Sequence, residues 1–179
     1  MSDATIDALL YGSFSSPILG RLGCVLQWTP GQEAQILHAS FGDYLTDHKC
    51  SGGKPWYIDP KVGGCQLASR CLQVMKADLQ FNICRLEDSH IRNSDVYDLP
   101  NCITTYILPQ LSYSCRFGAD HLETANYNDG LLEDIQLLVY SKFLYWLEVL
   151  SVLQEKPIAT NALITAAKFA EVSLLCNPE

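Results

Sequence analysis

The side chains most able to do chemistry are eight cysteines and four histidines. The cysteines stand at 24, 50, 65, 71, 84, 102, 115 and 176, and none forms a Cys-x-x-Cys pair. Structural zinc sites draw on closely paired ligands of that kind. Two Cys-to-His steps exist, Cys84 to His90 and Cys115 to His121, both six residues long. On a helix six residues turn through about 600°, which leaves the second side chain about 120° away from the first. Such pairs do not converge on one ion, so no metal is expected. An even cysteine count also invites disulfides. Most of these cysteines sit within apolar helical patterns, however, and MSDATIDALL lacks the basic and apolar regions of a secretory leader. Reduced, buried thiols in a cytoplasmic protein are the expectation.

Nucleotide and acyl chemistry fare no better. A phosphate-cradling loop needs GxxxxGK[ST]. The one Gly-Lys pair is Gly53-Lys54, with His48 in the place of the first glycine and Pro55 in that of the Ser or Thr. No GxSxG turn offers an activated serine. Glu87 and Asp88 are adjacent carboxylates in a polar connection and read as a solvated turn. The chain is expected to be no enzyme, with no catalytic residue and no cofactor of its own.

Charge narrows the partners. The net charge of 179 residues is −8, and the charged share of 18% is low. Much of the surface is therefore expected to be covered by other protein. Residues 1–89 carry 7 basic and 9 acidic side chains, and residues 90–179 carry 5 and 11. Such a balance disfavours phosphate backbones, so no nucleic-acid partner is expected. The most apolar stretch, 131–153, contains Glu133, Asp134, Lys142 and Glu148. Four charges exclude an ordinary membrane span.

The elements that must position these groups are mostly helices. Residues 6–10 and 17–22 read as short helices around a small-residue break at 12–16. Residues 22–28 and 34–38 read as strands joined by a Thr29-Pro30-Gly31 turn, because Pro presets φ and Gly tolerates positive φ. This hairpin has the character of the wing of a winged helix. Residues 27–35 hold Glu33 and no Lys or Arg, so the wing is expected to meet protein and not phosphate. Ser40 reads as the cap of a helix through residue 45. Residues 49–59 read as irregular, with Trp56, Tyr57 and Ile58 as an anchor.

Leu67, Cys71, Val74, Met75 and Leu79 share one face of a helix over 67–79. A polar connection over 86–94 leads to a short helix over 95–99, ended near Pro100, and to another over 101–108. Pro109 starts the next, which runs to about 125. A turn over 126–130 precedes the longest helix, 131–153, whose FLYWLEVLSVL run is apolar on several faces. Pro157 ends the linker after it, and Thr160 caps a final helix to 175. The fold class expected is mainly α. It consists of a partial winged helix with a small β-hairpin wing (1–59), then a helical bundle or solenoid-like region (60–179).

Several segments together resemble one family. ILHASFGDYLTD (36–47) is similar to the segment after the wing in fungal NACHT-type receptors, members of the STAND class of signalling ATPases related to NOD-like receptors. KPWYID (54–59), CLQVMKADLQFNIC (71–84), LPQLSYSCRFGADHL (108–122) and KFLYWLEVLSVL (142–153) resemble the helical region that follows the NACHT module. The resemblance spans residues 6–170 and rests on the joint order of these segments.

It implies a non-catalytic segment that couples nucleotide state to a sensor domain in innate-immune signalling. The implied partners are a NACHT ATPase domain and a repeat sensor domain, with ADP or ATP held in the parent receptor. His38 falls where the family places a histidine that reaches the β-phosphate of bound ADP. An imidazole donor at a strand-to-helix junction can make that contact. In the isolated chain the plainer expectation is a hydrogen bond from His38 to the start of its own helix. Phe41, Tyr44 and Leu45 match apolar positions and are expected in the core. Gly118 departs from the family, which often has Trp there, and a mid-helix Gly costs about 1 kcal/mol relative to Ala. Two alternatives stand beside this reading. One is a stand-alone helical interaction module that uses residues 143–153. The other is a small Cys/His metal protein or enzyme.

Overall fold

Short segments and small residues shape the first part of the chain, and long amphipathic segments the rest. The structure, a computed structural model, describes residues 1–10, 12, 15–88 and 90–176, with the side chains of 173–176 outside the description. The 12–16 break falls partly, and the Cys176 thiol wholly, outside the described residues. The chain is mainly α-helical with one small antiparallel hairpin, and divides into two compact units, Met1–Gly63 and Gly64–Glu179.

The first unit contains α1 (Asp3–Leu10), α2 (Ser15–Arg21), β1 (Leu26–Gln27), β2 (Gln35–Ile36), α3 (Ala39–Thr46) and α4 (His48–Ser51). The two strands pair antiparallel, Leu26 opposite Ile36 and Gln27 opposite Gln35. Both strands are shorter than the sequence suggests. Residues 22–25 close a turn instead, with Val25 and Leu26 N–H both donating to the Leu22 carbonyl at 2.9 and 2.8 Å. The tip holds Gly31 at φ 77°, a conformation that suits a residue without Cβ. Among the described residues of this unit only Thr5, Leu9, Leu19 and Ser51 are buried.

Two expectations change here. Phe41 and Leu45 are half-buried and Tyr44 is exposed, so α3 contributes no fully buried side chain. Trp56 and Ile58 are also exposed. Trp56 Nε1 donates to the Tyr44 hydroxyl at 3.2 Å, and the Tyr57 ring meets His48 edge-on at 5.6 Å. The anchor is therefore a surface latch between α3, α4 and the following turn.

The second unit is built from α5 (Pro60–Asp78, its first turn crossing the boundary), α6 (Leu99–Tyr106), α7 (Pro109–Thr124), α8 (Asp129–Ser141), α9 (Phe143–Val152) and α10 (Pro157–Cys176). Four starts carry proline in the first turn, where its missing N–H is not needed: α5, α6, α7 and α10. Asp59 accepts the Lys61 N–H at 2.9 Å at the head of α5. Asn128 accepts the Leu131 N–H at 3.2 Å at the head of α8. The buried face of α5 is Gly64, Ala68, Cys71, Leu72 and Met75, continued by Leu79. It lies one step round from the face centred on Leu67, which is half-buried. Leu111, Cys115, Leu122, Leu131, Ile135, Trp146, Val149 and Leu150 complete one apolar core.

Helix boundaries correct the sequence reading in four places. Pro100 opens α6 and does not end a helix over 95–99, where only a 3-10 turn, Asn93–Asp95, forms. The run over 131–153 is two helices, α8 and α9, bent by 77° at Lys142. Thr160 lies inside α10, which starts at Pro157. α10 and α5 are the longest helices, at 20 and 19 residues.

The bend occurs without Pro or Gly and is held from a distance. Lys142 Nζ donates to the Leu79 carbonyl at 2.7 Å. Six residues further, Glu148 accepts the N–H groups of Asn82 and Ile83 at 3.1 and 3.0 Å. Lys76 on α5 pairs with Asp134 on α8 at 2.6 Å. Glycines set two close approaches. A Cβ on Gly64 would collide with the Thr124 hydroxyl and lie 3.0 Å from the His121 carbonyl. A Cβ on Gly118 would lie 3.3 Å from Cys71 Cβ and 3.4 Å from Met75 Cε. The propensity cost of a mid-helix glycine is thus offset by close packing of α7 on α5. Among the described residues no single helix is long and apolar enough to cross a membrane.

Candidate functional site

The hairpin delivers His38 to the start of α3. Leu37 N–H donates to the Val25 carbonyl at 3.0 Å, which continues the pairing of β1 and β2 up to the residue before His38. His38 then has φ −143° and ψ 127°, the extended backbone of an N-cap. Its Nδ1 accepts the Ser40 N–H at 3.3 Å and lies 2.7 Å from the Ser40 hydroxyl. His38, and not Ser40, is therefore the capping residue, and Ser40 supports the imidazole from within the first turn. A ring nitrogen that accepts an N–H carries no proton. In the neutral ring the proton sits on Nε2, which leaves Nε2 as the donor of an exposed side chain.

A second polar cluster follows at the α3–α4 corner. Asp47 caps α4 by accepting the Lys49 N–H at 2.8 Å, and the Cys50 thiol donates to its other oxygen at 3.3 Å. The Lys49 N–H, then the Cys50 thiol and nearby His48, hold the Asp47 carboxyl below its ordinary value. The same carboxylate pushes the Cys50 thiol up. A thiol held protonated is a poorer nucleophile.

Cys84 and His90 lie outside any helix, while Cys115 and His121 are six residues apart on α7. Cys84 is buried and His90 exposed. Cys115 is buried in the core, while His121 stands half-buried with Nε2 2.8 Å from the Tyr113 hydroxyl. Burial pushes the Cys71 and Cys84 thiols up to about 11 and raises Cys115 as well. Burial lowers His121. The described cysteines are all free thiols. Among the described residues no group of three or more His, Cys, Asp or Glu is placed to hold a metal ion.

Gly53 and Lys54 lie in the turn after α4, with Gly53 at φ 78°. Glu87 and Asp88 are both exposed, and Asp88 accepts the His90 N–H at 2.8 Å. Sequence reasoning missed the Ser40 support of His38 and the Asp47–Cys50 contact. Both are short-range side-chain bonds with no periodic signal. Comparisons with protein-family models, with curated proteins and with solved structures find no match.

Proposed function

We propose that this chain is a non-catalytic regulatory segment of a NACHT-type nucleotide-binding signalling receptor. The observation that carries the reading is the order hairpin, His38, α3. It leaves an exposed imidazole at a strand-to-helix junction with Nε2 as its free donor. In such a receptor His38 would donate to a phosphate of ADP held by the NACHT ATPase domain, favouring the docked state. The helices over 60–179 would couple that docking to a repeat sensor domain. Nucleotide and sensed ligand then act through their different affinities for docked and undocked states. The reading places the protein in the cytoplasm.

A second reading, a stand-alone helical interaction module, is favoured by a separate observation. Leu137, Tyr140 and Leu144, which flank the α8–α9 bend, are 48%, 88% and 71% exposed. Large apolar side chains grouped in this way mark protein-contact surfaces.

The test is association of the chain with a NACHT-type module from the same genome, loaded with ADP or ATP, followed by size exclusion. The receptor reading expects co-elution with the ADP form, weakened at least tenfold by His38→Ala. His38→Ala should leave the helical content unchanged, since α3 is eight residues of the whole. Equal binding of both variants would favour the interaction module, and no binding of either nucleotide form would overturn the receptor reading.

A further inference from the structure

Where α7 and α10 face the core they carry small residues, among them Gly118, Ala119, Ala162 and Ala166. Opposite stand Met75 and Trp146. The small side chains leave a cavity of about 60 Å³ at the meeting of α5, α7, α8, α9 and α10. Among the described residues no charged side chain lines it. Its polar groups are already engaged. The Ser114 hydroxyl donates to the Gln110 carbonyl at 2.7 Å, and Trp146 Nε1 donates to the Cys115 carbonyl at 3.1 Å. A buried water needs two to four polar partners, and a cavity without them stays dry and takes apolar guests. Val139 and Leu163 also line the cavity, yet are 41% and 40% exposed. They mark its mouth.

We propose that this cavity binds the terminal segment of one uncharged alkyl chain, which enters between Val139 and Leu163. The lack of any lining charge excludes an ionic group from the interior, because nothing there would replace its hydration. At roughly 30 Å³ for a water-sized group, the space holds about two methyl or methylene groups beyond the mouth. Selectivity is therefore for an unbranched end. A phenyl ring or a branched chain is too wide without movement of the lining. The proposal does not depend on the receptor reading.

The experiment uses the full chain and a series of primary alcohols from methanol to 1-octanol. Met75 lines the cavity and is one of two methionines, so its ε-methyl is an isolated NMR probe. The expected result is a saturable shift of the Met75 methyl. Affinity should climb about fourfold per added methylene while the cavity fills, then level off. Ala162→Leu and Ala166→Leu, made separately, fill the space from two positions. Either variant that keeps the native melting temperature or raises it should lose the saturable shift. Absence of a saturable Met75 shift in the native chain would overturn the proposal. So would the same affinity in a folded variant, or an affinity that climbs without limit along the series.

Discussion

The indole N–H of Trp146 donates to the main-chain carbonyl of Cys115 across 3.1 Å, inside the core of the second unit. It ties α9 to the middle of α7 where both helices are buried. Trp146→Phe keeps most of the apolar contact and removes the donor. The expected loss is about 1–2 kcal/mol, the usual result of deleting one buried partner. Trp146→Ala adds a large void and should cost about 3–5 kcal/mol. Urea midpoints at constant slope check both values.

Glu148 holds two consecutive amides, Asn82 and Ile83, in a turn where Asn82 has φ 49°. Glu148→Ala is expected to cost about 1–3 kcal/mol, because it leaves two inward N–H groups unpaired. Glu148→Gln keeps one acceptor oxygen and should cost less. Hydrogen exchange reads the effect directly. The Asn82 and Ile83 amides should lose protection in both variants while Leu111 keeps its own.

Two glycines in the same interface should respond differently. Gly64→Ala drives a Cβ into Thr124 and the His121 carbonyl, so a loss of about 1–3 kcal/mol is expected from overpacking. Gly118→Ala meets Cys71 and the flexible end of Met75 at 3.3 and 3.4 Å. There a gain of about 1 kcal/mol in helix propensity opposes a slight crowding, and stability should stay within about 0.5 kcal/mol. Melting temperatures of the two variants distinguish the cases.

Much of this framework is legible in the sequence because local chemistry sets it. Pro109 fixes the start of α7, and the apolar spacing from Cys71 to Leu79 gives the packing face of α5 within one step. The α8–α9 bend is not legible, since Lys142 lies in an unbroken apolar helical pattern. The side chain at the bend is bonded to a carbonyl 63 positions away in sequence, on Leu79, which no local pattern signals. Pro100 reads as the end of a helix over 95–99 and instead opens α6, because proline can follow a helix or open one. At the candidate site the hairpin and the His38 position are readable. The bond between His38 and the start of its own helix is legible too; that Ser40, the commoner capping residue, only supports it is not.

His121 supplies a pH test. Burial lowers its folded-state pKa below the ordinary histidine value of 6.5. The unfolded chain therefore takes up the proton first as pH falls. Stability from this group is full above about pH 6.5 and declines as pH drops through the folded value. Urea midpoints between pH 7.5 and 5 should fall, and His121→Gln should flatten the slope in that window.

Thiol reactivity should divide by burial. At pH 8 Cys24 and Cys50 are exposed and should label in the native chain, while Cys71, Cys84 and Cys115 should wait for denaturant. Asp47→Asn removes the carboxylate that raises Cys50 and should speed its labelling severalfold. The raised thiols at 71 and 84 carry a second consequence. Unfolding releases their protons more readily, so stability should decline between about pH 9 and 11. Mass spectrometry of timed labelling and alkaline denaturation curves check these outcomes.

The turn after α5 is completed by residues that leave the ribosome much later. Lys142 and Glu148 reach back over 63 to 66 positions to close the end of α5 and the amides that follow it. During synthesis that turn emerges with none of these bonds available. Contacts of such sequence separation form late, because the intervening loop must close first. α5 and α7 meet through Gly64 and Gly118 without needing α9, whereas the shape of residues 79–86 waits for Lys142 and Glu148. The bonds that shape residues 79–86 thus come from the C-terminal half of the second unit and can form only after it is made.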